Sequence, residues 1–331
     1  MTKIRVILQY FGKLPTTFRF WLSSCHYNRT IDWMIVTDAD VSIYPKSENV
    51  QFIPMDFATL RERIQSCFPF PISMERPYKL CDFKPFGGVI WKDYLVGYDF
   101  WGYCDCDLVF GDIRFFATES LLAGCDRYLG HGHFSLIRND ESFFREIVEK
   151  TLSRRLYNYR HVLASPEAFA FDEYDHYGIT YTYQRLRPDR FVSGYDQGWT
   201  VFDDVDSTVD HFRDLNKDPD WRNRTLVYRF SEGKLERVFV ESREIRFEET
   251  LYLHMMSRRM EDSATGVNQF FIVPDRFIPY VNNLTKKFFA TYKKRFWDRR
   301  KFRHLYLILR GKIRIRSRLR ALKNRGAGDF V

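Results

Sequence analysis

This 331-residue sequence predicts an α/β fold with a mixed, mainly parallel sheet flanked by helices. Three observations carry that expectation. Strand-like apolar runs alternate with helical patterns at the start of the chain, the order that generates right-handed crossover units. Apolar residues make up 45% of the chain, enough to cover a sheet buried on both faces. A mainly apolar strand runs directly into Asp105-Cys106-Asp107, which places carboxylates at the carboxyl end of the sheet, where open α/β sheets bind ligands.

The elements follow in order. Lys3 to Tyr10 carries Ile4, Val6, Ile7 and Leu8 and stops before Gly12, as a buried parallel strand would. Thr16 and Thr17 cap a helix through Phe18, Trp21 and Leu22. Ile31 to Val36 is a second strand ending at the acidic turn Asp38-Ala39-Asp40, and Val50 to Ile53 is a third. Phe57 to Cys67 is a helix with Leu60 and Ile64 on one face. Lys79-Leu80-Cys81-Asp82-Phe83-Lys84-Pro85 introduces a helical segment through Val89, Ile90, Trp91 and Tyr94. Phe100 to Tyr103 is the strand before the acidic triplet, and Leu108, Val109 and Phe110 follow it. Residues 128–137 read as one strand, Phe143 to Leu152 as a helix and 153–200 as polar, aromatic loops. Segments 225–229 and 235–247 form a hairpin around Glu232-Gly233, and Thr250 to His254 reads as the last strand. From about 268 the chain becomes tail-like. It contains no internal repeat or low-complexity segment.

Charge divides the chain more sharply than pattern does. Residues 286–325 hold 17 Lys and Arg against the single acid Asp298, a balance of +16, which leaves the rest at −7 within a total of +9. A mildly acidic body with a basic end separates a chemistry-bearing module from a targeting one, here 1–270 and 271–331. The start shows no basic stretch followed by an apolar one, so no signal peptide is expected. No apolar run approaches the roughly 18–20 residues of a membrane-spanning helix. The six cysteines, at 25, 67, 81, 104, 106 and 125, form no CxxC pairs. Neither a zinc site nor a disulfide scaffold is expected, and the reading is of a cytoplasmic chain with reduced thiols.

Two aspartates at i and i+2 in a turn after a strand can aim at one hard cation, Mg²⁺ or Mn²⁺, which takes oxygen ligands from carboxylates and phosphates. Such pairs also arise by chance, and Asp38-Ala-Asp40, Asp204-Val-Asp206 and Asp218-Pro-Asp220 are three more. Asp105 and Asp107 differ in being flanked by apolar residues on both sides, a setting in which carboxylates are costly unless a cation or partner compensates them.

Trp101-Gly-Tyr-Cys-Asp105-Cys-Asp107-Leu-Val-Phe-Gly-Asp-Ile resembles the Asp-x-Asp region of GT-A fold glycosyltransferases. Together with Lys79-Leu-Cys-Asp82-Phe-Lys84-Pro it is similar to bacterial proteins of unassigned function found with capsule and lipopolysaccharide biosynthesis. The order of features loosely resembles glycosyltransferase family 8, which has a nucleotide-binding first half, then the Asp-x-Asp, then a late metal-binding His. The resemblance implies a GT-A-like, Rossmann-like domain, to which the charge pattern adds a basic helical C-terminal tail. It implies His254, in Leu251-Tyr-Leu-His-Met-Met-Ser-Arg258-Arg259, as third metal ligand and Arg258 as a phosphate contact. The Lys-Pro-Trp that often follows this His in family 8 is absent. Gln9, Tyr10 and Phe11 would lie under the nucleotide base, and Asp38 or Asp40 would accept hydrogen bonds from uracil or ribose; a capped turn is the equal alternative for the two acids. Lys79 and Lys84 would neutralise phosphate, with Asp82 orienting them or holding a sugar hydroxyl; a surface ion cluster is the alternative. Asp172, Glu173 and Asp196 are the catalytic candidates, as sugar-hydroxyl ligands, as stabilisers of positive charge or as a base. His131-Gly132-His133 reads as an acceptor-sugar contact, with a structural role as the close alternative, the Gly marking a close backbone approach.

The basic segment interleaves Phe288, Phe289, Tyr292, Phe296 and Trp297 with its charges, as an amphipathic helix on an anionic membrane surface would. A helix packed on the core with a solvated basic side is the alternative; no nucleic-acid motif is present. The expectation is therefore a metal-dependent, retaining hexosyltransferase, peripheral on the inner membrane face. It would move a sugar from a UDP-linked donor to a glycan or lipid-linked acceptor in bacterial surface polysaccharide synthesis. The rivals are a nucleotidyl or phosphoryl transferase and a non-enzymatic scaffold of an assembly complex.

Overall fold

The computed structural model describes residues 1–141, 145–146, 149, 158–173, 178–193, 203–204, 226–256 and 258–295. The first half follows the pattern read above: β1 (Ile4–Tyr10), α1 (Phe18–Tyr27), β2 (Ile31–Thr37), β3 (Val50–Pro54), α2 (Phe57–Ser66) and β4 (Phe100–Cys104). Thr17 occupies the position before α1 but its side chain makes no capping bond, whereas Asp56 caps α2 by accepting from the Thr59 amide.

These strands lie side by side, parallel, in the order β3-β2-β1-β4. The chain steps from β1 to β2 and β3 on one side and returns to place β4 on the other. That reversal makes a topological switch point between the carboxyl ends of β1 and β4. Consecutive β1 side chains serve opposite layers. Val6 and Leu8 join Phe18, Trp21 and Leu22 of α1, while Ile7 joins Leu60 and Ile64 of α2. Each such large apolar side chain contributes about 1.5–3 kcal/mol on burial.

The segment after Lys79 is not one helix. Four-residue Gly87–Ile90 is flanked by tight turns at Pro77–Asp82, Lys84–Phe86 and Lys92–Tyr94. Gly87 and Gly88 lie flat against the Trp101 indole, where an added Cβ would stand 2.7–2.8 Å from the ring.

Beyond the acidic triplet, β5 (Leu108–Phe110) leaves the main sheet. Residues 128–137 are not one strand but two, β6 (Arg127–His131) and β7 (Phe134–Arg138), antiparallel around a turn at Gly132 and His133. Leu129 is left-handed, with φ 62°, where the register slips. With β8 (Phe191–Val192) they extend the sheet to β3-β2-β1-β4-β7-β6-β8. The stretch 153–200 is less loop-like than its composition suggests. Its described part contains helices Tyr159–Ala164, started by the Asn158 side chain, and Ile179–Leu186, which bury Val162, Leu163, Ile179 and Tyr183. The helix read over Phe143 to Leu152 lies largely outside the described residues.

A second sheet follows the first. Its strands β10 (Val227–Ser231), β11 (Lys234–Glu241), β12 (Glu244–Glu249), β14 (Glu261–Asp262), β15 (Gln269–Val273) and β16 (Arg276–Pro279) lie in the order β12-β11-β10-β15-β16-β14, while β9 (Asp203–Asp204) and β13 (Tyr252–His254) join β5 in a separate three-stranded sheet of order β5-β13-β9. The expected hairpin turns at Glu232-Gly233, but 235–247 is broken by a second tight turn. There Ser242 and Arg243 both take positive φ, 47° and 71°. β13 is not the last strand, because β15 and β16 follow and pair with β10 and each other. Residues 269–279 are thus sheet rather than tail; Phe270, Phe271 and Ile272 are fully buried.

One face of this sheet packs on Phe20 of α1. The other is covered by helix Lys286–Arg295 through Phe288, Phe289 and Tyr292. This first part of the basic segment therefore turns its aromatics onto protein and not toward a membrane, because the sheet's second apolar face has to be covered. Residues 296–331 lie outside the described residues.

Candidate metal centre

β4 ends one residue before Asp105, and the chain crosses the mouth of the switch point to β5. β13 pairs antiparallel with β5, so His254 stands opposite Leu108, beside the triplet. Backbone bonds fix the crossing. The Asp105 amide donates to the His133 carbonyl at 3.0 Å, and the Met255 amide to the Asp107 carbonyl at 3.0 Å. Asp105, Asp107 and His254 each offer a ligand atom within 4.8 Å of the others. His254 Nε2 is 3.5 Å from Asp107 Oδ1.

The donor set suits a hard divalent ion. Around an ion with bonds of about 2.1 Å, adjacent ligands stand about 3 Å apart and opposite ones about 4.2 Å, so small side-chain movements complete the site. Three protein ligands leave positions for water or phosphate oxygens. The triad can hold a metal, in the arrangement the sequence pointed to.

Lys84 lies against it. Its Nζ donates to Asp105 Oδ1 at 2.5 Å, to Asp172 Oδ2 at 2.9 Å and to the Gly132 carbonyl at 3.0 Å. Burial pushes this ammonium toward deprotonation, but the Asp105 and Asp172 carboxylates more than offset it and hold its pKa well above the ordinary value. Asp172 is buried, and among the described residues its Oδ1 accepts no hydrogen bond. Burial raises its pKa from 3.8 to about 7 against the pull of Lys84, with the charges of Glu173 and Asp105 adding to the rise. Glu173 is also raised, chiefly by burial, although its Oε2 accepts from the Gly132 amide at 3.2 Å. The close approach read at Gly132 is therefore to the protein's own acid pair. An added Cβ there would meet Asp172 Cγ at 2.7 Å and Glu173 Oε1 at 2.8 Å.

The two histidines of the turn are organised differently from the sugar contact expected of them. His133 is 2% exposed, its Nδ1 hydrogen-bonds the Tyr252 hydroxyl at 3.0 Å, and its ring stacks on His254 at 4.2 Å and on His131 at 4.9 Å. Burial, and then His254, His131 and Lys84, lower its pKa well below the usual imidazole value, so it is neutral. A structural role is the second reading of this pair, but the residues it packs on are not legible in the pattern. The His-x-His spacing was visible, but its partner His254 is more than a hundred residues away.

Other expectations fare unequally. Lys79 and Asp82 form a buried pair rather than a surface ion cluster. Both are buried, and Lys79 Nζ donates to Asp82 Oδ2, to the Val162 carbonyl and to the Glu167 carbonyl, using its full donor set inside the protein. Asp82 in turn accepts from the amides of Phe169 and Phe171. Those bonds flank Ala170, held left-handed at φ 53°, and so shape the backbone that presents Asp172. Arg258 is buried, and its Nη1 donates to the Pro274 carbonyl between β15 and β16. Met256, two residues earlier, takes a positive φ of 47°. Phe11 packs edge-on against Phe57 in the α2 layer and is a core residue rather than a platform for a base.

Tyr10 does reach the site: burial, and then the charges of Cys106 and Asp107, raise its pKa. Gln9 is half-buried, and its Oε1 has no hydrogen-bond partner among the described residues. Asp38 Oδ1 accepts from the Gly12 amide at 2.7 Å, joining the loops after β1 and β2. Asp40 accepts from the Ser42 amide, which lowers its pKa and ties up one of its oxygens in the turn. Asp196 lies outside the described residues.

Fold and site together define an α/β protein with a candidate divalent-metal centre at the carboxyl end of a parallel sheet. The chain belongs to a family of unknown function, DUF6625, which matches residues 6–281. No curated protein matches it. Among solved structures it is similar to the glycosyltransferase GlyE of Streptococcus pneumoniae TIGR4, at 14% identity and a TM-score of 0.32. That match covers 60% of this chain and 49% of GlyE, so the chain spans about half of that protein. It is similar to mouse xyloside xylosyltransferase 1 at 11% identity, covering 57% of this chain and 84% of that one, with a TM-score of 0.36. It is also similar to the galactosyltransferase LgtC, solved with donor and acceptor sugar analogues, at 11% identity, covering 67% and 82%, with a TM-score of 0.31.

Proposed function

We propose that this chain is a metal-dependent glycosyltransferase that moves a hexose from a nucleoside-diphosphate sugar, UDP-linked in our reading, to a glycan or lipid-linked acceptor. The observation that carries the reading is the Asp105, Asp107 and His254 triad at the switch point, with Lys84, Asp172 and Glu173 against it. A divalent Mn²⁺ or Mg²⁺ held there would offset the charge of a departing diphosphate. The protein's own groups do the rest. The loops after β1 and β2, with Gln9, Tyr10, Asp38 and Asp40, bind the nucleoside. Asp172 Oδ1 takes a donor-sugar hydroxyl, and the Asp172–Glu173 pair faces the positive charge that develops at the anomeric carbon. The bond from that carbon to the diphosphate breaks, a bond to an acceptor oxygen forms, and the acceptor proton leaves. We assign retention of configuration, by the resemblance to family 8, and a role in bacterial surface polysaccharide synthesis. No helix among the described residues is long and apolar enough to cross a membrane. Attachment to an anionic membrane surface rests on the +16 balance of residues 286–325.

A panel of UDP-, GDP- and other nucleotide sugars, screened by thermal shift with and without Mn²⁺, tests the reading. A metal-dependent shift with one donor is expected, followed by release of free nucleoside diphosphate. Release of pyrophosphate or monophosphate would point to the nucleotidyl or phosphoryl transferase. Asp107→Ala should reduce turnover by at least about a hundredfold with the fold intact, because charge compensation by a metal is worth several kcal/mol. Undiminished turnover in that variant would remove the metal from the mechanism.

A further inference from the structure

The turn between β6 and β7 carries a residue that touches two of the three candidate ligands without being one of them. The His133 carbonyl accepts from the Asp105 amide at 3.0 Å. Its ring stacks on the His254 ring, with centroids 4.2 Å apart and planes 25° apart. The ring is itself pinned, because the Tyr252 hydroxyl lies 3.0 Å from Nδ1, and Tyr252 is two residues before His254 on the same strand. On its far side His131 stacks at 4.9 Å and 17°. A near-parallel stack does not let neighbouring rings aim nitrogens at one ion, so His133 is not a fourth ligand. It is a flat, buried wall that limits how the His254 ring can turn.

We propose that His133 is a positioning residue for the metal site, holding the imidazole of His254 in the plane from which it faces Asp105 and Asp107. The inference rests on the metal-binding reading above. An imidazole ligand normally rotates about two side-chain bonds, and outer contacts that fix its orientation typically account for 10–100-fold in metal affinity. Here the contact is a ring face and not the usual carboxylate, so flatness is what a substitute must preserve.

Mn²⁺ binding to the full chain without nucleotide, followed by electron paramagnetic resonance, separates the possibilities. His133→Ala should weaken Mn²⁺ at least about tenfold. His133→Phe, which keeps a flat ring, should bind within about threefold of wild type. Tyr252→Phe, which removes the hydrogen bond to His133 Nδ1 but leaves the stack, should fall between them. Each is measured below its own unfolding temperature, read by circular dichroism; if His133→Ala does not fold, the Phe and Tyr252 variants decide. Equal affinity in wild type and His133→Ala would overturn the inference, as would a Phe variant as weak as Ala. Absence of Mn²⁺ binding by wild type would instead overturn the metal reading itself, while binding lost in Asp107→Ala and kept in every His133 variant would spare that reading and sink only this one.

Discussion

Asp172 has one oxygen on the Lys84 ammonium and the other buried without a hydrogen-bond partner among the described residues. Its carboxyl, lifted from 3.8 to about 7, makes the folded chain bind more protons than the unfolded chain between those values. A group with a raised folded pKa favours the folded state at low pH, and that advantage is lost as pH rises through the window. The contribution of Asp172, read as the melting temperature of the metal-free wild type minus that of Asp172→Asn, should therefore fall as the buffer is taken from about pH 4 to 7. Taking the difference removes the opposing contributions of groups such as His133, whose pKa is lowered by burial. A difference that grows over the window in a calorimetric series would contradict the assignment. Lys79 and Asp82 show the opposite use of charge. The same residue types that suggested phosphate chemistry are buried as a closed pair, retained for the shape of the 169–171 backbone.

At the scale of elements, the β6–β7 turn does more for the site than its length suggests. Gly132 gives its amide to Glu173 and its carbonyl to Lys84, and His133 gives its carbonyl to Asp105. Three segments distant in sequence are thus referenced to one two-residue turn. Gly132→Ala would drive a methyl group into the carboxylates of Asp172 and Glu173, both backed by protein, so the acid pair must shift. A displacement of about 1 Å near reacting atoms can cost on the order of a hundredfold in rate. The variant should lose at least tenfold in turnover while keeping its circular dichroism spectrum, and a fully active Gly132→Ala would show that this pair need not be precisely placed.

At the scale of the molecule, α1 lies between the two sheets, with Trp21 facing the first and Phe20 the second. Helix Lys286–Arg295 closes the far side of the second sheet through Phe289, which is 3% exposed. Phe289→Ala should destabilise the protein by about 3 kcal/mol, within the range for deleting a buried aromatic, as read from urea unfolding. A change under about 1 kcal/mol would mean that the helix is not held by this contact and that its aromatics are available elsewhere. The basic residues of the segment can still meet an anionic surface while Phe288, Phe289 and Tyr292 stay on the sheet.

The sequence by itself determined the parallel core of the first hundred residues, because apolar period and turn residues are local signals. It also singled out Asp105 and Asp107, because paired carboxylates with apolar runs on both sides are a local signal that the Asp38-Ala39-Asp40 turn lacks, and resemblance added His254. Only the tertiary structure decided which charges face the site. Lys79 and Arg258 look as suitable for a phosphate as Lys84 does, and Asp82 as suitable for a sugar hydroxyl; what separates them is burial against segments 16–89 residues away. The hairpin at Gly132, the strands after 268 and the stack of His133 on His254 were hidden for the same reason. Pairing and packing energies belong to contacts between distant segments, and a local pattern does not record its partner.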